Sequence, residues 1–246
     1  MKKGFTLAEI LVTMMIIGIV ASMTIPTLVK SQQKQKQTAA LAKAVNTMSN
    51  ATSLMIARDG SYGLNDSTMW AEIADGTSVK TAFENHLGKI LIFTDEDEDY
   101  KAIPKTLYGK EMPNLFNDYT RLTTKAGINY FVKVVTTYVN DDQYDINYDK
   151  NFILADILID VNGNEPPNTI GRDIYGFLMT NEGRLLPYGG LKTSDLVINP
   201  TISSTTAGGI DRYTGNWKTK CPDSTKTDSG FCCTKKVVSE NYKINY

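Results

Sequence analysis

Twenty consecutive residues near the start of this chain, Ile10 to Val29, carry no charge. A helix of about twenty apolar residues is long enough to cross a hydrocarbon core of about 30 Å. Lys2 and Lys3 precede the run, and Lys30, Lys34 and Lys36 follow it. With basic flanks on both sides, charge alone orients the span weakly. A hydrophilic segment of more than two hundred residues follows, with no second apolar run of spanning length. The simplest topology is single-pass. The chain is 41% hydrophobic with mean hydropathy −0.24, which excludes a polytopic membrane protein and a disordered chain. Lys and Arg number 26 against 27 Asp and Glu, so no strong field attracts nucleic acid and none is expected as a partner.

The acid just before the run narrows the choice. A secretory signal peptide has the short basic start seen here, and Ala21-Ser22-Met23 offers a weak cleavage site. The apolar stretch is long for such a peptide, and Glu9 sits near its start. An ordinary signal anchor accounts for the length and leaves Glu9 unexplained. A carboxylate costs roughly 2.5–3.5 kcal/mol at the centre of a spanning helix and less toward its ends. Such an acid calls for a partner.

Gly4-Phe5-Thr6-Leu7-Ala8-Glu9 followed by the apolar run resembles the prepilin signature of type IV pilins and type II secretion pseudopilins. The resemblance implies that a membrane peptidase on the cytoplasmic side cuts between Gly4 and Phe5. It also implies N-methylation of the new terminal residue, Phe5. A glycine at the cut lets the scissile bond lie extended. The apolar run is retained as an anchor and then becomes filament core. Glu9 would pair with the freed amine of a neighbouring subunit. Burying either charge alone is costly and burying both together is tolerable, so the pair selects one axial stagger. The implied partners are identical or related pilin subunits, the prepilin peptidase and methyltransferase, and an inner-membrane assembly platform. The implied location is the bacterial inner membrane for the precursor, head outward, then a periplasmic pseudopilus or a cell-surface pilus.

Pro26 falls near the end of the run and Gly18 in its middle. Proline inside a helix removes a backbone hydrogen bond and kinks or loosens it. The resemblance places Pro26 where pilin helices loosen in assembled filaments. The alternative is an ordinary lipid-facing helix, in which Gly and Pro are common. Beyond Val29, Lys30 to Gln37 is polar. Leu41, Val45, Met48 and Met55 then recur at spacings of four, three and seven, one face of an amphipathic helix. Asp59-Gly60 is a stop signal. One helix from Phe5 to about Arg58 is predicted, 54 residues spanning about 81 Å at 1.5 Å each. The stripe is too short for a coiled coil and suits packing against a head.

The chain thus divides into a leader (1–4), a transmembrane or filament-core helix (5–29), its amphipathic continuation (30–59) and an extracytoplasmic head (60–246). In the head, Thr68 to Lys89 contains a short helix. Asp95-Glu96-Asp97-Glu98-Asp99 is an acidic run that reads as a solvated loop. Ile128 to Val139 and Phe152 to Val161 carry strand signals. Tyr175 to Thr180 and Arg184 to Tyr188 form a hairpin around Asn181-Glu182-Gly183. The expected fold class is α+β and pilin-like, a long N-terminal helix packed against an antiparallel sheet.

Between the second and third strand signals, Asp160, Asn162 and Asn164 place side-chain oxygens at alternate positions, and Asp173 follows Gly171. Calcium loops alternate oxygens in this way. The same residues also suit a structural turn held by Asx hydrogen bonds. Ca2+ is therefore the one candidate cofactor. Cys221, Cys232 and Cys233 lie near the C-terminus. Cys221 can pair with either neighbour, and a vicinal bridge is the strained third choice. Type IV pilins often close a C-terminal loop by such a bridge. The single histidine, His86, is expected on the surface or half-buried. No nucleophile elbow, P-loop or dinucleotide fingerprint occurs in a usable context. A filament subunit without enzymatic activity is expected. The competing classes are a tethered binding protein that never polymerises and a tethered glycosidase working through two head carboxylates.

Overall fold

A computed structural model describes residues 6–94, 100–135, 151–190, 196–197, 215–222 and 229–246. It divides into two units, Met1–Lys36 and Gln37–Tyr246. Gly4, Phe5 and the acidic run at 95–99 lie outside the described residues.

Helix α1 (Leu7–Asp59) contributes to both units. In the first unit its apolar side chains, among them Leu11, Met14, Ile17 and Met23, are exposed, and the helix is long and apolar enough to cross a membrane. It runs without interruption through Gly18 and Pro26. Hydroxyls in this stretch bond back to the preceding turn: Ser22 Oγ donates to the Ile19 carbonyl at 2.7 Å and Thr27 Oγ1 to the Thr24 carbonyl at 2.8 Å. These polar groups are satisfied within the helix, as an apolar medium requires.

In the second unit, α1 buries Leu41, Ala44, Val45, Met48, Ala51 and Met55, the stripe that the spacing predicts. After α1, a 3-10 turn (Leu64–Asp66) leads to α2 (Thr68–Ala74) and α3 (Val79–Leu91). The single helix expected within 68–89 is two. Ser67 and Ser78 each cap one, accepting from Trp70 N and Thr81 N, and Gly76 at φ +97° turns the chain between them.

The sheet runs β1 (Thr120–Thr123), β2 (Asn129–Val134), β3 (Asn151–Asp160), β4 (Ile174–Thr180) and β5 (Leu185–Pro187) in sequential antiparallel order. β6 (Leu196–Val197) pairs parallel with the start of β3. In register, Tyr130 faces Ile159, and Ile159 faces Tyr175. The described part of the strand expected over 128–139 ends at Val134, and residues 136–139 lie outside the described set. β1 was not legible because four residues with one fully buried position carry no period. Among the described residues, two short helices follow the sheet, α4 (Trp217–Lys220) and α5 (Cys233–Ser239).

One sheet face joins the α1 stripe in a core that includes Tyr130, Ile157, Ile159, Tyr175, Phe177 and Met179. The other face buries Phe131, Leu158, Ile174, Leu178 and Tyr188 under Leu115, Ile170 and Phe231. Double-sided burial explains why β4 is buried at every position and reads as a continuous apolar run. Polar contacts also tie sheet to helix: Tyr130 Oη donates to the Ala44 carbonyl at 3.0 Å, and Thr52 Oγ1 donates to the Gly183 carbonyl in the β4–β5 turn at 2.8 Å.

Candidate functional site

The N-terminal segment is organised by Thr6. Its side chain caps α1, with Glu9 N donating to Thr6 Oγ1 at 3.3 Å. Glu9 answers: Oε2 accepts from Thr6 N and from Thr6 Oγ1, both at 2.8 Å. This reciprocal arrangement is a capping box. Thr6 joins Glu9 as a residue of this segment, and T-x-x-E before an apolar run is the sequence signal for such a box. The carboxylate is therefore aimed back at the helix start, where the positive end of the helix dipole favours it.

The second candidate region lies at the far end of β3. Asp160 and Asp173 are fully buried. Asp160 Oδ1 accepts from Asn162 N at 3.1 Å and Gly163 N at 3.0 Å, and Oδ2 accepts from Tyr100 Oη at 2.8 Å. Asp173 accepts from Asn168 N at 2.7 Å and Thr169 N at 2.6 Å. Asn162 Nδ2 donates to the Glu165 carbonyl at 2.8 Å, and Asn164 Oδ1 accepts from Lys101 N at 2.8 Å and Ala102 N at 3.1 Å. Asp160, Asn162 and Asp173 thus share one loop, while Asn164 faces outward to the segment after Tyr100. Burial pushes Asp160 up to about 7 despite its hydrogen bonds, and the Asp173 charge adds to the rise. Burial likewise raises Asp173 to about 6. Tyr100 rises as well, first by burial and then by the Asp160 charge beside it. Among the described residues, no three His, Cys, Asp or Glu side chains gather as a metal-binding group.

The C-terminal segment is stitched to this loop. Cys221 and Cys233 form a disulfide with Cα atoms 5.1 Å apart, closing a separation of 12 residues. Cys232 is buried and takes no part in the bridge. The two thiols occupy adjacent positions at the start of α5, and only Cys233 faces Cys221. The backbone of Gly171 approaches this segment so closely that an added Cβ would lie 2.9 Å from the Gly230 carbonyl and 3.0 Å from Cys233 Cβ. Thr234 Oγ1 accepts from Gly176 N at 3.1 Å, and Lys235 N donates to the Tyr188 carbonyl at 3.0 Å. Tyr246 Oη donates to the Gly171 carbonyl.

Buried Asp156 accepts from Tyr119 Oη at 3.0 Å and from Tyr188 Oη, a pairing that no local motif signals. His86 is half-buried between Glu72, 3.1 Å from Nε2, and Arg58, 3.3 Å from Nδ1.

No curated protein and no solved structure matches this chain. Residues 1–25 match the family model described as the prokaryotic N-terminal methylation motif. With α1 and its antiparallel sheet forming a pilin-type α+β architecture, the chain carries the N-terminal signature of the type IV pilins and pseudopilins.

Proposed function

We propose that this chain is a structural subunit of a type IV pilus or a type II secretion-like filament and has no enzymatic activity of its own. The observation that carries the proposal is the methylation motif at residues 1–25 on a helix whose apolar N-terminal part is exposed. A helix apolar all round needs lipid or other helices to cover it. The precursor is a single-pass protein of the inner membrane, with the leader at 1–4 inside and the head outside. Prepilin peptidase cuts between Gly4 and Phe5, and Phe5 is methylated. The assembly platform then passes the subunit into a polymer of identical or related subunits. Glu9 neutralises the Phe5 amine of a neighbour, exchanging its bonds to Thr6 for a bond between subunits. Pro26, whose ring leaves one backbone carbonyl without its helical donor, is where α1 loosens in the polymer.

We favour a structural role for Asp160, Asn162, Asn164 and Asp173. Their hydrogen bonds to backbone groups support loop-holding over cation binding. Calorimetric titration of the chain with Ca2+ tests this, with no heat expected; stoichiometric heat would assign a calcium site instead.

N-terminal mass spectrometry of the native protein tests the main proposal. A mature chain beginning with methyl-Phe5 is expected. A start after Ser22, or an intact Met1, overturns it.

A further inference from the structure

We propose that a cleft in the second unit receives Tyr62 from another copy of this chain, in a contact that repeats head to tail. The proposal rests on the filament reading above and names one of its subunit contacts.

The cleft lies between α1, the end of α3 and the β1–β2 turn, with a volume of about 510 Å3. Buried Ala44 and Ile128 and exposed Ile92 and Ala126 supply apolar lining. Lys43 and Lys125 stand exposed at its rim. No acidic side chain among the described residues lines it. Ile92 is the unusual member. It caps α3 at φ 47°, a left-handed conformation strained for a β-branched residue. Its N–H donates to the Gly88 carbonyl at 3.0 Å and its carbonyl accepts from Lys125 N at 3.0 Å. These bonds hold the backbone there, and Ile92 is 52% exposed at the cleft. An exposed apolar side chain thus stands beside two lysines at the cleft.

A complementary knob lies on the same unit. Tyr62 is 95% exposed, yet both sides of its turn are fixed. Ser61 N donates to the Ile56 carbonyl at 3.2 Å, and Leu64 N to the Asn181 carbonyl at 2.7 Å. Gly63 packs so tightly that an added Cβ would sit 2.4 Å from Asn181 Nδ2. The backbone beneath the ring is thus fixed, which lowers the entropy lost on binding. Exposed Asp66 lies on the 3-10 turn that follows. Asp66 beside the knob and the lysines beside the cleft give the pairing its sign. Tyrosine is also a residue type that anchors interfaces.

The positions suit a polymer. Along α1 the cleft residues Lys43 and Thr47 precede the helix end at Asp59, three residues before the knob, by roughly 18–24 Å at 1.5 Å per residue. When all copies point the same way, the knob of one fits the cleft of the next and never its own partner's return contact. Such heterologous contacts propagate without closing. Each is weak alone and gains from the helix contacts that already hold the copies together.

The test places the photo-cross-linker benzoylphenylalanine at Tyr62 of the full chain and irradiates filaments from cells. The expected result is a ladder beyond the dimer, with cross-links mapping to the peptides around Ile92 and Lys125–Ile128 of another copy. Separately, Lys125→Glu should lower filament yield about fivefold, and adding Asp66→Lys should restore it. Filaments seen by electron microscopy without these cross-links overturn the contact and leave the filament reading standing. A product that stops at the dimer overturns the head-to-tail arrangement. Absence of filaments from the unmodified chain overturns both.

Discussion

Glu9 closes a capping box on Thr6, with its Oε2 2.8 Å from both Thr6 N and Thr6 Oγ1. The acid therefore has a satisfied resting state before any neighbour arrives. In the proposed filament it changes partners, from Thr6 N and Oγ1 to a charged amine. The amine is the stronger partner where water is excluded.

Charge and cap can be separated by substitution. Glu9→Gln retains an acceptor for Thr6 and loses the charge. Both Glu9→Gln and Glu9→Ala are expected to abolish filament entry while membrane insertion survives. Thr6→Ala should lower assembly less than either. Sheared filament yield against membrane-bound precursor measures this. Normal assembly by Glu9→Gln would show that capping, not charge, is the contribution of this residue.

The β4–β5 turn meets α1 with no space to spare. Gly183 has φ +76°, and a Cβ there would lie 2.7 Å from Thr52 Oγ1. Gly183→Ala combines a strained backbone with overpacking and should cost about 2–4 kcal/mol. Thermal unfolding of the full chain in detergent would show a fall of several degrees.

The disulfide predicts a specific asymmetry among three thiols. Cys221→Ser and Cys233→Ser should each lose about 3 kcal/mol in the chain-entropy model. Cys232→Ala should leave the bridge intact and cost less, because only a small buried thiol is removed. Peptide mapping without reductant should return a Cys221–Cys233 pair. A Cys221–Cys232 pair would contradict the fold of α5.

The buried carboxylates predict a pH dependence of definite sign. Asp160 titrates at about 7 and Asp173 at about 6 in the folded chain, both above the ordinary 3.8. Between roughly pH 4 and 7 the folded state therefore holds more protons than the unfolded state. Stability rises as pH falls through that window and declines as pH rises through it. The melting temperature should be higher at pH 5 than at pH 8. Asp160→Asn, which stays neutral, should flatten much of this difference. A wild-type profile that is flat, or that rises with pH, would show the pair to be solvated.

Local patterns carry much of the architecture in the sequence. The uncharged run, the stripe from Leu41 to Met55 and the hairpin around Asn181-Glu182-Gly183 all appear in the structure where periodicity and turn residues place them. Within 68–89 the register was less clear, since the break at Gly76 needs only one glycine and a capping serine.

By itself, then, the sequence determined that a long helix carries the N-terminal motif and that an antiparallel sheet follows. Helical and strand periods and the motif are properties of neighbouring residues, so they survive without a fold. Only the tertiary structure decided that Cys233 and not Cys232 meets Cys221, because two adjacent residues at a helix start point in different directions and spacing cannot separate them. It also decided that Tyr100 reaches Asp160 and that Tyr119 and Tyr188 reach Asp156. Those partners are brought together by sheet register and by burial on the second sheet face, and both are set by packing across the whole head.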